Sequence, residues 1–291
     1  MAHVASNGIR IEYERFGDPD APPFVLISGW AAQMLFWNEG FCRELAGRGF
    51  LVIRFDNRDT GLSTKRDDLG VPDVRAVRAG RQRPAYTLDD MAVDVVGLLD
   101  ALDLSAAHVA GVSIGGYIAQ VMALNHPDRV LSLASMMSGL SGDDLVEPTD
   151  WDGPGHDAMP TDEDARIEHR VDEIAAMASP QYFDRDRVRR EVVRAMARSR
   201  CPDGAERQAS AVWAATSRAT TLARLAMPVM VLHGALDKAL PVENAYRTAA
   251  AAPGSKLVVI PDLNHDLPPQ LWVQIVDHLV TNAQRADVTA H

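Results

Sequence analysis

Six short, almost wholly apolar runs recur along this chain, at residues 24–27, 51–55, 108–110, 130–134, 229–232 and 256–260. Runs this short, rich in Val, Ile and Leu and set apart by longer segments, are the pattern of strands buried on both faces of a parallel sheet. The segments between them carry helical periodicity. Between the second and third runs Leu88, Met91, Ala92, Val95, Leu99 and Leu102 fall on one stripe, while Asp89, Asp90, Asp94 and Asp103 lie mostly off it. Thr87, followed three residues later by Asp90, supplies a capping-box start for that helix. A strand, an amphipathic helix and a further strand imply a right-handed crossover, and its repetition gives an α/β sheet with helices on both faces. Ahead of the first run, residues 9–16 alternate apolar and polar and residues 17–23 break the chain, which predicts an antiparallel hairpin edge.

The periodicity changes character between residues 139 and 223. Asp143, Asp144, Glu147, Asp150, Asp152, Asp157, Asp162, Glu163 and Asp164 form an acidic approach to an Arg-rich stretch over 185–200. No buried-strand pattern occurs there, so the segment reads as a mostly helical insertion. The chain then divides into a core domain of residues 1–138 and 224–291 and an inserted domain of residues 139–223. Arg185, Arg187, Arg189, Arg190, Arg194, Arg198 and Arg200 are spread around a helix and interleaved with acids, the pattern of a solvated face.

Charge and cysteine content exclude several functions. The 29 Lys and Arg against 40 Asp and Glu leave a net charge of −11, so no net positive field draws in a nucleic acid or an anionic membrane. Cys42 and Cys201 are too few for a disulfide framework or a zinc site, and suit a reducing cytosol as small apolar residues. The amino-terminal residues carry no apolar run of signal-peptide length, and nothing approaches the roughly 20 apolar residues that span a bilayer. A cytoplasmic protein without membrane contact is expected.

The chemistry concentrates at Gly111-Val-Ser113-Ile-Gly115-Gly116, directly after the run at 108–110 and before the helical run at 117–125. A nucleophile raised on a sharp strand-to-helix turn needs glycines two residues to either side, where a Cβ would collide with the neighbouring strand and helix. A serine hydroxyl also needs a base, and the base an orienting carboxylate. The run at 229–232 leads into His233-Gly-Ala-Leu-Asp237-Lys-Ala-Leu-Pro241, and the run at 256–260 into Pro-Asp-Leu-Asn-His265-Asp-Leu-Pro268. The order Ser, Asp, His, each on its own strand-end loop, predicts a triad of Ser113, Asp237 and His265. Asp143 and Asp144, beyond the run at 130–134, are the rival carboxylates. His108, His126, His233 and His278 do not follow the last strand and read as packed or surface residues. An oxyanion needs two N–H donors, which Ile114, after the nucleophile, and Trp30, after Ser28-Gly29, would supply; Trp30 also reads as a wall of the pocket. Asp56 and Arg58 read as fixing a loop beneath the Ser113 turn.

On these residues the chain resembles the α/β-hydrolases over nearly its full length, in the branch with a helical cap domain, here residues 139–223. Phe55-Asp-Asn-Arg58-Asp-Thr60-Gly61-Leu-Ser63, with the Ser113 turn and the two later loops, most resembles the aclacinomycin methylesterase group, which hydrolyses a methyl ester on an anthracycline polyketide. The resemblance implies an α/β fold with a mostly parallel eight-stranded sheet flanked by helices. It implies a serine hydrolase of carboxylesterase type, needing no cofactor or metal, whose partner is a small-molecule ester of a bulky or aromatic acid. Trp151, Tyr182, Phe183 and Trp213, with Met136 and Met137, would line its apolar pocket. Two positions depart from the pattern: Ser28 stands where many relatives carry His, and Asn264 where many carry Gly before the catalytic histidine. Ser113 excludes dehalogenase and epoxide hydrolase chemistry, which uses a carboxylate there. A lactonase, thioesterase, C–C hydrolase or cofactor-free perhydrolase would use the same triad, and a non-catalytic receptor is the reading from another class. A homodimer is compatible with the apolar faces, with no residue marked for it.

Overall fold

A computed structural model describes residues 2–148 and 160–289, with side chains to Ala286. Eight strands form one sheet: β1 (Ala2–Ser6), β2 (Ile9–Phe16), β3 (Pro23–Ile27), β4 (Leu51–Phe55), β5 (Ala107–Val112), β6 (Val130–Met136), β7 (Val229–Gly234) and β8 (Lys256–Ile260). Their order is β1-β2-β4-β3-β5-β6-β7-β8, with β3 to β8 parallel and β1 and β2 antiparallel to their neighbours. Among the described residues the helices are α1 (Glu39–Ala46), α2 (Val74–Arg78), α3 (Leu88–Ala101), α4 (Ile114–Asn125), α5 (Glu163–Met177), α6 (Arg185–Arg198), α7 (Pro202–Ala214), α8 (Glu243–Ala251) and α9 (Trp272–Thr289). None is long and apolar enough to cross a membrane.

Alternation along the strands builds two cores. Val25, Ile27, Ile53, Phe55 and Val109 face one layer, where Leu88, Met91, Val95 and Leu99 of α3 and Ile118 and Met122 of α4 meet them. Phe24, Leu26, Val52 and Ala110 face the other, against Phe41 and Leu45 of α1 and Ile275, Val276 and Leu279 of α9. The capping box at the start of α3 is present: Asp90 N–H donates to Thr87 Oγ1 at 3.1 Å and Thr87 N–H to Asp90 Oδ2 at 2.8 Å. The expected hairpin at 9–23 does not form. Instead β2 pairs with β1 through a turn at Asn7 and Gly8, both at positive φ, and on its other side with β4. Asn-Gly is the strongest short hairpin signal, and residues 17–23 serve as the link into β3.

Among the described residues three helices, α5, α6 and α7, lie between β6 and β7. Ile167 and Val171 of α5 pack on Val188 and Val192 of α6 in a small core of their own, whereas Ala211 of α7 joins the α3 and α4 side of the main core. The Arg residues of α6 are not uniformly solvated. Arg185 and Arg189 pair with acids of α5 at the surface, but Arg198 is turned inward onto the fully buried Asp56 at 2.7 Å. On α7, Arg207 is likewise buried and clasps Asp59 with two bonds of 2.9 Å.

Candidate active site

Ser113 occupies the turn between β5 and α4 at φ 56°, ψ −121°, a left-handed backbone that a side-chain-bearing residue adopts only when its surroundings enforce it. The enforcement comes from close packing. A Cβ on Gly111 would lie 2.0 Å from the Gly115 carbonyl oxygen, and one on Gly115 would lie 2.2 Å from that of Ile27. The turn is therefore seated against the loop that leaves β3. Gly29 in that loop lies beside Ser113, where a Cβ on it would be only 3.3 Å from that of Ser113. Ile114 is the first residue of α4, so its N–H has no acceptor within the helix. Trp30 follows Gly29, half exposed, its indole N–H donating to the Ala205 carbonyl of α7 at 2.8 Å.

Asp237 and His265 meet across the loops after β7 and β8. His265 Nδ1 is 2.8 Å from Asp237 Oδ2, and Asp237 Oδ1 accepts the Leu240 N–H at 2.8 Å. Burial works against the Asp237 charge, but His265 and bonds from both nearby histidines hold its carboxyl well below the usual range. Burial also works against a protonated His265, and the Asp237 carboxylate outweighs it, leaving His265 above the ordinary histidine value. The rival carboxylates lie elsewhere: Asp143 is exposed and Asp144 accepts the Ser217 hydroxyl.

His233 has more to do than its sequence position suggests. It is fully buried at the end of β7, its Nε2 2.8 Å from the Leu240 carbonyl and 3.3 Å from Asp237 Oδ2. The four-residue spacing from Asp237 was the available signal. Of the expected pocket residues, Met137 is buried in the core on the α1 and α9 side, and Tyr182 packs against that same core. Phe183 packs on the small α5 and α6 core, and the Trp213 ring lies under the Arg78 guanidinium at 4.0 Å. Trp151 lies outside the described residues.

The end of α5 is fastened to the His265 loop. His265 N–H donates to the Met177 carbonyl at 3.0 Å, Asn264 N–H to Ser179 Oγ at 2.9 Å and Asn264 Nδ2 to the Ala178 carbonyl at 3.0 Å. Asn264 Oδ1 then accepts the Lys238 N–H at 3.0 Å, tying the same knot to the Asp237 loop. In the loop after β4, Asp56 accepts the N–H groups of Met34 and Leu62, and Arg58 pairs with Asp94. Among the described residues no group of three His, Cys, Asp or Glu is arranged to hold a metal ion.

The family described as the alpha/beta hydrolase fold matches residues 22–269. The chain belongs to that family. Among curated proteins this α/β-hydrolase is 29% identical to the rhodomycin D methylesterase DauP of Streptomyces sp. (strain C5), over 91% of this chain and 92% of that one. It is 38% identical to the putative carbamate hydrolase RutD of Caulobacter segnis, over 40% of this chain and 39% of that one. Among solved structures, the esterase RhEst1 of Rhodococcus sp. ECU1013 has the same fold, with a TM-score of 0.74, 22% identity and 97% of each chain covered.

Proposed function

We propose that this α/β-hydrolase is a serine hydrolase of carboxylesterase type, with Ser113 as nucleophile, His265 as general base and Asp237 as its orienting carboxylate. The observation that carries the reading is the 2.8 Å bond between His265 Nδ1 and Asp237 Oδ2, taken together with a serine held at φ 56° on a glycine-flanked turn. That bond leaves Nε2 as the free basic nitrogen of the neutral imidazole. His265 takes the Ser113 proton as Oγ bonds to the ester carbonyl carbon, and the N–H groups of Ile114 and Trp30 hold the resulting oxyanion. Collapse breaks the bond to the alcohol oxygen, which receives the proton from His265. Water, deprotonated by the same imidazole, then releases the acid from Ser113.

The substrate we assign is a methyl ester of a bulky or aromatic acid. Similarity to a rhodomycin D methylesterase over nine-tenths of both chains supports this class. Residues 139–223 serve as the cap over the site in this reading. Hydrolysis of p-nitrophenyl acetate and butyrate by the wild type, lost in Ser113→Ala, with one fluorophosphonate adduct on Ser113 by mass spectrometry, is the expected result. No turnover and no adduct would overturn it.

A further inference from the structure

The loop that carries Trp30 is held from the inserted helices by one side chain in particular. Gln208 of α7 is fully buried; its Oε1 accepts the Ala31 N–H at 2.9 Å and its Nε2 donates to the Arg58 carbonyl at 2.8 Å. Ala31 sits at φ 52°, a left-handed conformation unfavourable for alanine, so some contact must hold it there. One turn earlier on the same helix face, the Ala205 carbonyl takes the Trp30 indole N–H. The Gly29 carbonyl, in turn, accepts the Ala32 N–H at 3.3 Å. The peptide planes on both sides of the Trp30 α-carbon are thus fixed, and with them the direction of the Trp30 N–H.

We infer that Gln208 is a positioning residue for the oxyanion donor: it holds the Trp30–Ala31 peptide in its strained conformation and so aims the Trp30 N–H at the carbonyl oxygen as it gains charge. The inference rests on the serine esterase reading above. Gln208 itself is anchored by its surroundings, since the neighbouring Arg207 clasps Asp59 and the Arg58 that accepts from Gln208 is paired with Asp94. A donor aimed in advance matters most when the oxyanion forms and little when the neutral ester binds.

The test compares the wild type with Gln208→Met, which keeps the volume and removes both bonds, and with Gln33→Met. Gln33 also ties this loop to the insert, through the Ala195 and Ser199 carbonyls, but does not touch the Trp30–Ala31 peptide. Steady-state kinetics on p-nitrophenyl butyrate are read beside the affinities for a trifluoromethyl ketone, which forms an oxyanion on Ser113, and for the matching methyl ketone. In Gln208→Met we expect kcat to fall on the order of 10- to 100-fold with KM within about twofold, below the loss for deleting an oxyanion donor outright. Trifluoromethyl ketone affinity should fall with kcat, methyl ketone affinity should hold, and Gln33→Met should keep kcat within about threefold. Should Gln208→Met not fold, Gln208→Asn, whose buried amide stops short of Ala31, carries the same expectation. An unchanged kcat, a loss confined to KM or equal losses in Gln208→Met and Gln33→Met would overturn the positioning role alone. Wild-type turnover that survives Ser113→Ala would overturn it together with the esterase reading.

Discussion

Replacing Asn264 by glycine should loosen this hydrolase where the inserted helices meet the loops that carry Asp237 and His265. Asn264 is 2% exposed, and its side chain makes two bonds, to the Ala178 carbonyl and from the Lys238 N–H, both 3.0 Å. Its main-chain bond to Ser179 survives the change. The bond from the Lys238 main-chain N–H is part-buried and worth about 1 kcal/mol, whereas leaving the buried Ala178 carbonyl without its donor costs about 1–3 kcal/mol. Added flexibility of glycine in the unfolded chain contributes about 0.5–1 kcal/mol more. A loss of roughly 3–4 kcal/mol corresponds, at a urea dependence of about 3 kcal/mol per molar, to a midpoint lowered by about 1 M. His265 follows directly in sequence and its N–H is bonded to Met177 in the same knot. A shift of its ring by a fraction of an ångström should lower kcat/KM by roughly 10-fold or more. Urea unfolding followed by tryptophan fluorescence, with kcat/KM on p-nitrophenyl butyrate, measures both. A midpoint within about 0.2 M of wild type would mean that a water takes over both bonds and that the asparagine does not fasten the insert.

Two further outcomes follow from the charges. His265 titrates above the ordinary value because of Asp237, and the general base we propose must be neutral, so kcat/KM should fall with decreasing pH through an apparent pKa above about 6.5. In Asp237→Asn the burial that disfavours the imidazolium acts against a weaker opponent, the acid limb should move to lower pH, and kcat should drop by about 10⁴-fold; a limb that stays in place would refute the assignment of Asp237. Arg207→Met should cost about 3–5 kcal/mol in urea unfolding, because it strands the fully buried Asp59 without its cation, and a loss under about 1 kcal/mol would show that α7 is held by its apolar contacts instead.

Legibility in the sequence followed the range of the interaction. The strands of the parallel sheet were readable because burial on both faces leaves a continuous apolar run, and β4 and β5 are buried at every position. Gly111 and Gly115 were readable because close packing at a strand-to-helix turn admits no side chain at those offsets. The loops that bring Asp237 against His265 were readable from strand order alone. The β1 hairpin was missed although Asn7-Gly8 announced it, since residues 2–6 show no clean apolar alternation and lie at the edge, mostly exposed. Arg198 was misread for a different reason: on its own helix it looks like one more charge on a wet face. Its partner, Asp56, lies 142 positions earlier and is supplied only when the chain folds back.

The same argument explains why Gln208 carried no functional signal and why Asn264 showed only as a departure from the family pattern. A polar residue inside an amphipathic helix, or a lone amide in a loop, has the same local pattern whether it faces water or a buried carbonyl. What separates the two cases is burial together with satisfaction of every hydrogen-bonding atom. Gln208 places both amide atoms on main-chain groups of two different loops, and Asn264 places both of its on two others. A buried amide that is satisfied in this way fixes two backbone segments at once, because moving either one strands a polar atom away from water. The inserted helices therefore hold the site at two places, beside Trp30 and beside His265. Substitutions at those contacts are expected to act on the rate of the chemical step more than on the fit of the substrate.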